Sequence, residues 1–422
     1  MKIALIVPEF PSLSQTFVLN QITGLIDRGH DVEIFAELAT ADANIHQDVM
    51  AYNLLQRTCY YREMCRSIPE NKLNRILKSI GCIIKYLPMK PLTVLNSINI
   101  LKYGKRSASF YLLFQIIPFL DKDPYDIIHC HFGPSGNYAV MLKDLGAITG
   151  KVVTTFHGYD LSTYLSTQGD HIYKRLFEKG DLFLPISQRW KEKLIRIGCR
   201  EDRTVVHRMG IDIGKFRFCE RTAGNDRSIN ILTVARLVEK KGVEYGIKAV
   251  AKVIERYPEV QYRIAGDGPL KKSLLDLIRT LKIEKNVHLL GSKDQNDILD
   301  LMTNSDILLA PSVTSKNGDQ EGIPVVLMEA IANGLPAISS FHSGIPELIK
   351  DGISGFLVPE RDVDALKEKL MQLILKPELR FQMARAGRKY VERHYDVAKL
   401  NDRLVRLFEG LLDPKGRNSE KK

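Results

Sequence analysis

No stretch of the 422 residues is apolar for 18 positions or more, so no segment reads as a membrane-spanning helix. The first residues, MKIALIVPEF, lack a long apolar core followed by a small-residue cleavage site. They run into a polar loop as a first buried strand does, and no secretion leader is expected. The six cysteines (Cys59, Cys65, Cys82, Cys130, Cys199 and Cys219) are scattered without a CxxC pair. That pattern offers neither a zinc knuckle nor a disulfide framework and fits a reducing, cytoplasmic setting. Also missing is any full GxGxxG after a first strand, and the basic regions show no interleaved aromatics of the kind that stack on nucleic acid.

What is present is an ordinary globular composition, 44% hydrophobic and 26% charged, in a chain long enough for two domains of about 200 residues. The net charge of +11 is unevenly spread. Residues 55 to 106 hold eleven Lys and Arg against only Glu63 and Glu70, a local excess of +9. Apolar residues recur there at helical intervals, as in LNRILKSIGCIIKYL. A basic amphipathic helix suits an anionic membrane surface, and a solvated helical face is the alternative.

Both halves alternate apolar strands with longer helical stretches, which predicts α/β architecture with two doubly wound parallel sheets. The first half has KIALIVP, DVEIFA, DIIHCHF, KVVTTFH and LFLPIS; the second has INILTVAR, VQYRIAG, VHLLG, DILLAPS, PAISS and GFLV. Periodicity gives way to polar residues and glycine between 210 and 228. The expected organisation is a first Rossmann-like domain over 1–212, a second over 213–390, a helix over 391–412, and a disordered tail over 413–422.

Ligands of such sheets bind at the carboxyl ends of the strands, so the loops there hold the candidates. In GDQEGIPVVLMEAIANGLP, Pro324 suits a first helical position and Gly334 a C-terminal cap, which leaves Glu321 in the loop and Glu329 inside the helix. Even on one helix the two carboxylates would stand ~12 Å apart along the axis, too far for an acid pair. They suit two parts of one long ligand. An ionised carboxylate in so apolar a helix needs a partner, either ribose hydroxyls or a salt bridge within the domain.

In TVARLVEKKG, Arg236 at a strand end and Lys241 near the next helix start make an anion site that favours a diphosphate. In IAGDGP, Gly266 and Gly268 permit close approach of a ligand. SLSQTF offers Ser14, Gln15 and Thr16 to a phosphate or sugar, and TTFHGYD puts His157 at a strand end beside Gly158. His129 and His131 share one strand face, but no third ligand accompanies them and no metal is expected. The DxD matches at 121 and 362 read as a turn and a helix cap.

Together these residues resemble the pattern of glycosyltransferase family 4, retaining enzymes of the GT-B fold, over nearly the whole chain. The E-x7-E signature is Glu321 to Glu329, and ARLVEKKG, IAGDGP, VHLLG and SGIPELIKDGISGFLV stand beside it in the family's order. PEFPSLSQTFVLNQI, HCHFG and TTFHGYD are similar to the subgroup of colanic acid and amylovoran galactosyltransferases. The resemblance implies a central cleft between the domains, with the last helix crossing back to the first. It places Arg236 and Lys241 on the donor diphosphate, Gly266 and Gly268 near the donor, and Glu329 on the nucleotide ribose. Glu321, with the amides of Gly322 and Ile323, would contact the sugar, and His157 would reach it from across the cleft. The implied donor is a UDP-linked hexose, galactose by subgroup, and the implied acceptor a glycan or a polyprenyl-diphosphate-linked sugar at the inner membrane face. Configuration would be retained by front-face attack, with no metal or other cofactor. The first loop departs from the family's paired glycines, and Gln15 stands where the subgroup often has Glu. A nonenzymatic nucleotide-sugar sensor and a nicotinamide-dependent oxidoreductase are the competing readings, the second opposed by the missing glycine fingerprint.

Overall fold

A computed structural model describes residues 1–12, 15–40, 46–62, 69, 71–219 and 228–413. Six parallel strands, β1 (Lys2–Phe10), β2 (Asp31–Ala39), β3 (Thr58–Tyr60), β4 (Ile127–His131), β5 (Lys151–Phe156) and β6 (Leu182–Pro185), form one sheet in the order β3-β2-β1-β4-β5-β6. The second sheet joins β7 (Asn230–Val234), β8 (Gln261–Ala265), β9 (Val287–Gly291), β10 (Ile307–Ala310), β11 (Ala337–Ser340) and β12 (Gly355–Val358) in the order β12-β11-β10-β7-β8-β9. Each strand expected from the sequence is present, and the short edge strand β3 is an addition. The reversals of order, between β1 and β4 and between β7 and β10, open a crevice at the strands' carboxyl ends.

The apolar runs become strands because both sheet faces are covered. Ile3, Leu5 and Val7 point into one core and Ala4 and Ile6 into the other, all fully buried.

Six helices position the site, join the domains or carry the basic segment: α1 (Thr16–Ile26), α2 (Lys72–Tyr86), α3 (Gln188–Arg196), α4 (Val325–Ala332), α5 (Pro377–His394) and α6 (Val397–Leu412). In α4 the helix starts one residue later than the sequence suggests. Pro324 has φ −62°, which suits a helix, but ψ 125°, which does not, so it caps α4 without belonging to it. Gly334 follows the helix with φ +84°, the left-handed geometry that ends helices.

Residues 391–394 belong to α5, whose Val391 is buried in the second domain's core. The chain then crosses back. Asp396 caps α6 by accepting from Ala398 N at 3.0 Å, and Leu404 and Phe408 are buried in the first domain's core. Asn401 donates to Asn20 O at 3.1 Å, and Arg28 pairs with Asp402 at 2.6 Å. A Cβ at Gly24 would lie 1.8 Å from Asn401 Nδ2, so only glycine lets α1 and α6 meet this closely.

Helix α2 is oriented against the usual rule. Its apolar stripe, Leu73, Ile76, Leu77, Ile80 and Ile84, is exposed, whereas Ser79 and Tyr86 are buried against the domain. No described helix is long and apolar enough to cross a membrane. Arg66, Glu63, Glu70 and the tail beyond Asp413 lie outside the described residues.

Candidate functional site

Arg236 lies in the loop after β7, exposed, and among the described residues no carboxylate stands within ion-pair distance of it. Its loop is seated by backbone contacts to the β8 loop: Ala235 N donates to Ala265 O at 3.0 Å and Leu237 N to Asp267 O at 2.8 Å. Gly266 and Gly268 make this possible. A Cβ on Gly266 would lie 1.8 Å from Ala235 O, and one on Gly268 would lie 2.7 Å from Leu237 O. The close approach that the sequence suggested for a ligand is here made by the chain itself, which holds Arg236 in place.

Lys241 ends a single 3-10 turn before Gly242, and its ammonium lies 2.8 Å from Glu321 Oε1. Lys240 likewise pairs with Asp319 at 2.9 Å. Burial alone would raise the carboxyl of Glu321, but Lys241 and Lys240 outweigh it and hold it below the usual carboxylate range. The pairing was not visible in the sequence, where 80 positions separate the two residues.

The loop after β11 holds the Glu321 backbone, and the loop after β12 braces it. The Glu321 N–H donates to His342 Nε2 at 3.0 Å, and its carbonyl accepts from Ser343 Oγ at 2.5 Å. His342 Nδ1 stands 2.6 Å from Glu360 Oε1, and Glu360 also accepts from Thr314 N at 2.8 Å. His342 and Glu360 were not singled out in the sequence. One signal was there: FHSG after β11 echoes FHG after β5, each with a histidine just past a strand.

Glu329 sits within α4 without a side-chain partner among the described residues, so the salt bridge weighed from the sequence is not formed there. Burial pushes its carboxyl up to about 7.

On the first domain's side, His157 directly follows β5 and is only 8% exposed. Its Nε2 lies 3.0 Å from His131 Nδ1, and His129 Nε2 lies 2.9 Å from Thr155 Oγ1. Burial drives His157 and His129 down to about 3, so both rings are neutral. The HCH pair therefore buttresses the strand end internally. Among the described residues no three His, Cys, Asp or Glu group as metal ligands do. The Asp160 carboxylate, quoted within TTFHGYD but not selected, accepts from the backbone N–H of His157 (3.0 Å), Gly158 (2.8 Å) and Gly133 (3.0 Å). It locks the two loops that flank the cleft.

The two domains meet backbone to backbone at this point. A Cβ on Gly158 would lie 3.2 Å from Gly322 N, and one on Gly322 would lie 2.4 Å from His157 O. Ile323 packs beside them, against Gly344. The structure thus gathers His157, Glu321, Gly322, Ile323 and Lys241 at one locus. In the first loop Gln15 caps α1 with its Oε1 buried and unpartnered, Thr16 opens the helix, and Ser14 lies outside the described residues. A second contact fixes the domains: Glu347 accepts from Gln188 N at 2.7 Å, at the start of α3, and pairs with Arg208 at 3.0 Å.

Known proteins resemble this chain in sequence and fold. The model of "Glycosyltransferase Family 4" matches residues 14–215 and that of "Glycosyl transferases group 1" residues 217–390. The amylovoran biosynthesis glycosyltransferase AmsK of Erwinia amylovora is 41% identical over 378 residues, covering 88% of this chain and 90% of AmsK. WcaL of Escherichia coli (strain K12), named for colanic acid biosynthesis, is 36% identical over 97% of this chain and 100% of its own. The chain belongs to glycosyltransferase family 4. Its GT-B fold is also that of Anabaena HepE, solved in complex with UDP and glucose, with a TM-score of 0.67 and 18% identity over 97% of this chain and 100% of HepE. Within this glycosyltransferase the E-x7-E carboxylates therefore have distinct settings, Glu321 in a cross-linked loop and Glu329 alone on its helix.

Proposed function

We propose that this glycosyltransferase moves a hexose, galactose by its subgroup, from a UDP-linked donor to a glycan or polyprenyl-diphosphate-linked acceptor in exopolysaccharide biosynthesis. The carrying observation is the contact of His157–Gly158 with Glu321–Gly322, which puts a polar strand end of one domain against the Lys241-paired loop of the other. Residues 213–390 serve the donor and residues 1–212 the acceptor. Arg236, without an ion pair among the described residues, takes the diphosphate together with Lys241. As the sugar–phosphate bond breaks, negative charge gathers on the leaving UDP, and these cations stabilise it where it develops. Glu329 accepts hydrogen bonds from the ribose hydroxyls, which supply a partner that it lacks among the described residues. Glu321 and the Gly322 and Ile323 amides hold the sugar hydroxyls, and His157 faces the sugar from the other side. Gly266 and Gly268 act through the Arg236 loop, and the SLSQTF residues Ser14, Gln15 and Thr16 serve the acceptor or a phosphate.

Retention results if the acceptor attacks the face the UDP leaves from, with a donor phosphate oxygen taking its proton. That step asks for no metal, because the cations already neutralise the leaving group. UDP and glucose in HepE, and the polysaccharides named for AmsK and WcaL, support the donor and the pathway class. The exposed apolar stripe of α2 and its basic neighbours support peripheral binding to an anionic membrane, where a lipid-linked acceptor would be found.

A panel of UDP-sugars tests the reading by thermal stabilisation and by transfer or hydrolysis of labelled sugar. A true donor at 100 times its Kd adds about 2.7 kcal/mol of stability. Glu321→Ala is expected to abolish transfer. Undiminished transfer in that variant would remove Glu321 from the mechanism, and stabilisation without any turnover would favour a sensor.

A further inference from the structure

Between the domains, beside the Glu321 loop, lies a cavity of about 440 Å³. Its first-domain walls come from the turn after His157, with Leu161 and Ser162, and from α3. Gln320, the residue before Glu321, closes it from the second domain, and Arg189 Nη2 donates to Gln320 Oε1 at 3.4 Å. The cavity therefore opens beside the locus where His157 and Glu321 meet. Its size falls within the roughly 300–1,000 Å³ of small-molecule sites.

Arg189, Lys193 and Arg196 line it. Their spacing, four and then three residues, places them on one face of α3. Among the described residues none of the three stands within ion-pair distance of a carboxylate, whereas Lys191, on another face, pairs with Glu201 at 3.4 Å. Two carboxylates also line the cavity. Of these, Glu192 accepts from Gln188 Nε2 at 3.3 Å, and Asp170 leaves the cations in the majority. The wall adds the hydroxyl of Ser162 and the apolar side chain of Leu161, a mixture that suits a sugar ring.

Apart from His157, the donor residues sit on the second domain, so the second substrate approaches from the first. We propose that this cavity receives the acceptor, and that Arg189, Lys193 and Arg196 recognise a negative charge carried by it, a carboxylate or phosphate attached to its sugar. The inference rests on the transferase reading and narrows its acceptor to an anionic one. Arginine meets either anion through two parallel N–H donors, and lysine adds a point charge.

The experiment uses the whole chain with saturating UDP, which occupies the diphosphate site so that added anions must bind elsewhere. Binding of glucuronate, glucose 1-phosphate and glucose is then followed by ligand-observed NMR, in the wild type and in the Lys193→Gln/Arg196→Gln protein. Stabilisation of the double variant by UDP checks that it is folded. At least one anionic sugar is expected to bind more tightly than glucose and to lose about tenfold in affinity in the variant, the loss of roughly one charge-assisted contact. Which anion binds identifies the charge as carboxylate or phosphate. Equal binding of all three sugars, no binding of either anion, or an unchanged affinity in the variant overturns the anionic acceptor while leaving the donor reading intact. Failure of UDP to stabilise the wild type overturns the donor reading, and the acceptor site falls with it.

Discussion

The Nε2 atom of His342 accepts the backbone N–H of Glu321 at 3.0 Å. A peptide nitrogen can only donate, so this ring carries its proton on Nδ1, where Glu360 Oε1 receives it at 2.6 Å. Burial lowers the pKa of the ring against the pull of Glu360, which keeps Nε2 bare at neutral pH. Both ring nitrogens of His342 are thus engaged within the protein, which makes it a positioning residue that aims the Glu321 peptide. His342→Gln can return an amide oxygen to the Nε2 position, whereas His342→Asn is too short to do so. We expect kcat to fall about tenfold, or ~1.4 kcal/mol, in the Asn variant and by much less in the Gln variant, with similar KM for the donor. Equal losses in both variants would show that the contact to Glu321 does not matter.

The Lys241–Glu321 pair predicts a stability effect separable from catalysis. Lys241→Ala removes the ion-pair partner of a buried carboxylate and is expected to cost about 3–5 kcal/mol in urea unfolding. Adding Glu321→Gln to that variant should recover most of the loss without restoring transfer. Because the folded Glu321 carboxyl lies below its free value of 4.5, its contribution is present above pH 4.5 and fades as the pH falls through the folded value. Glu321→Gln alone should abolish that part of the acid sensitivity. If the double variant is no more stable than Lys241→Ala, the pair does not hold the loop.

Glu329 titrates in the opposite sense. Its carboxyl is raised from 4.5 to about 7, so it is neutral in both folded and unfolded chains below pH 4.5 and costs stability as the pH rises from there through 7. The shift corresponds to at most about 3 kcal/mol at pH 8, since the side chain is only half-buried by surface area. Glu329→Gln is therefore expected to raise the melting temperature at pH 8 and leave it unchanged at pH 4, while weakening UDP binding. A residue that lowers stability and is retained for a ligand is a recognised trade-off. Equal melting temperatures at pH 8 would show that the carboxylate is better solvated than its burial suggests.

These residues also show why some of the site was legible and some was not. Strands such as IALIV could be read because parallel strands buried on both faces are continuous apolar runs, whereas β3, three half-buried residues at an edge, leaves no such trace. Glu329 stood out because a charge in an apolar helix is anomalous wherever its partner lies. Arg236 and His157 were singled out by their positions at strand ends. The partners of Glu321 could not be found that way, since Lys241, His342 and Glu360 reach it only through the convergence of four loops. Gly266 and Gly268 read in the sequence as room for a ligand, whereas the backbone lying against them is that of Arg236's own loop. Asp160 was hidden for a different reason: it acts on backbone N–H groups, which no side-chain pattern records.

The proposed membrane contact through α2 gives a prediction of its own. Leu73, Leu77 and Ile84 are 65%, 61% and 70% exposed, on a stripe bordered by Lys72, Arg75, Lys78 and Lys85. Burying one such side chain in the acyl boundary contributes about 1.5–3 kcal/mol, and each cation near an anionic surface about 1 kcal/mol. The two contributions can be told apart by flotation with vesicles of neutral or anionic lipid. Leu77→Ser with Ile84→Ser should weaken binding to both kinds of vesicle. Lys78→Gln with Lys85→Gln should weaken it only on anionic vesicles, and added salt should mimic the second change because it screens charge over ~10 Å at 0.1 M. Since none of these side chains lies in the cleft, turnover with a water-soluble acceptor should survive both double substitutions, while turnover on vesicle-bound acceptor should fall with binding. Unchanged flotation of both variants would mean that the exposed stripe serves something other than a lipid surface.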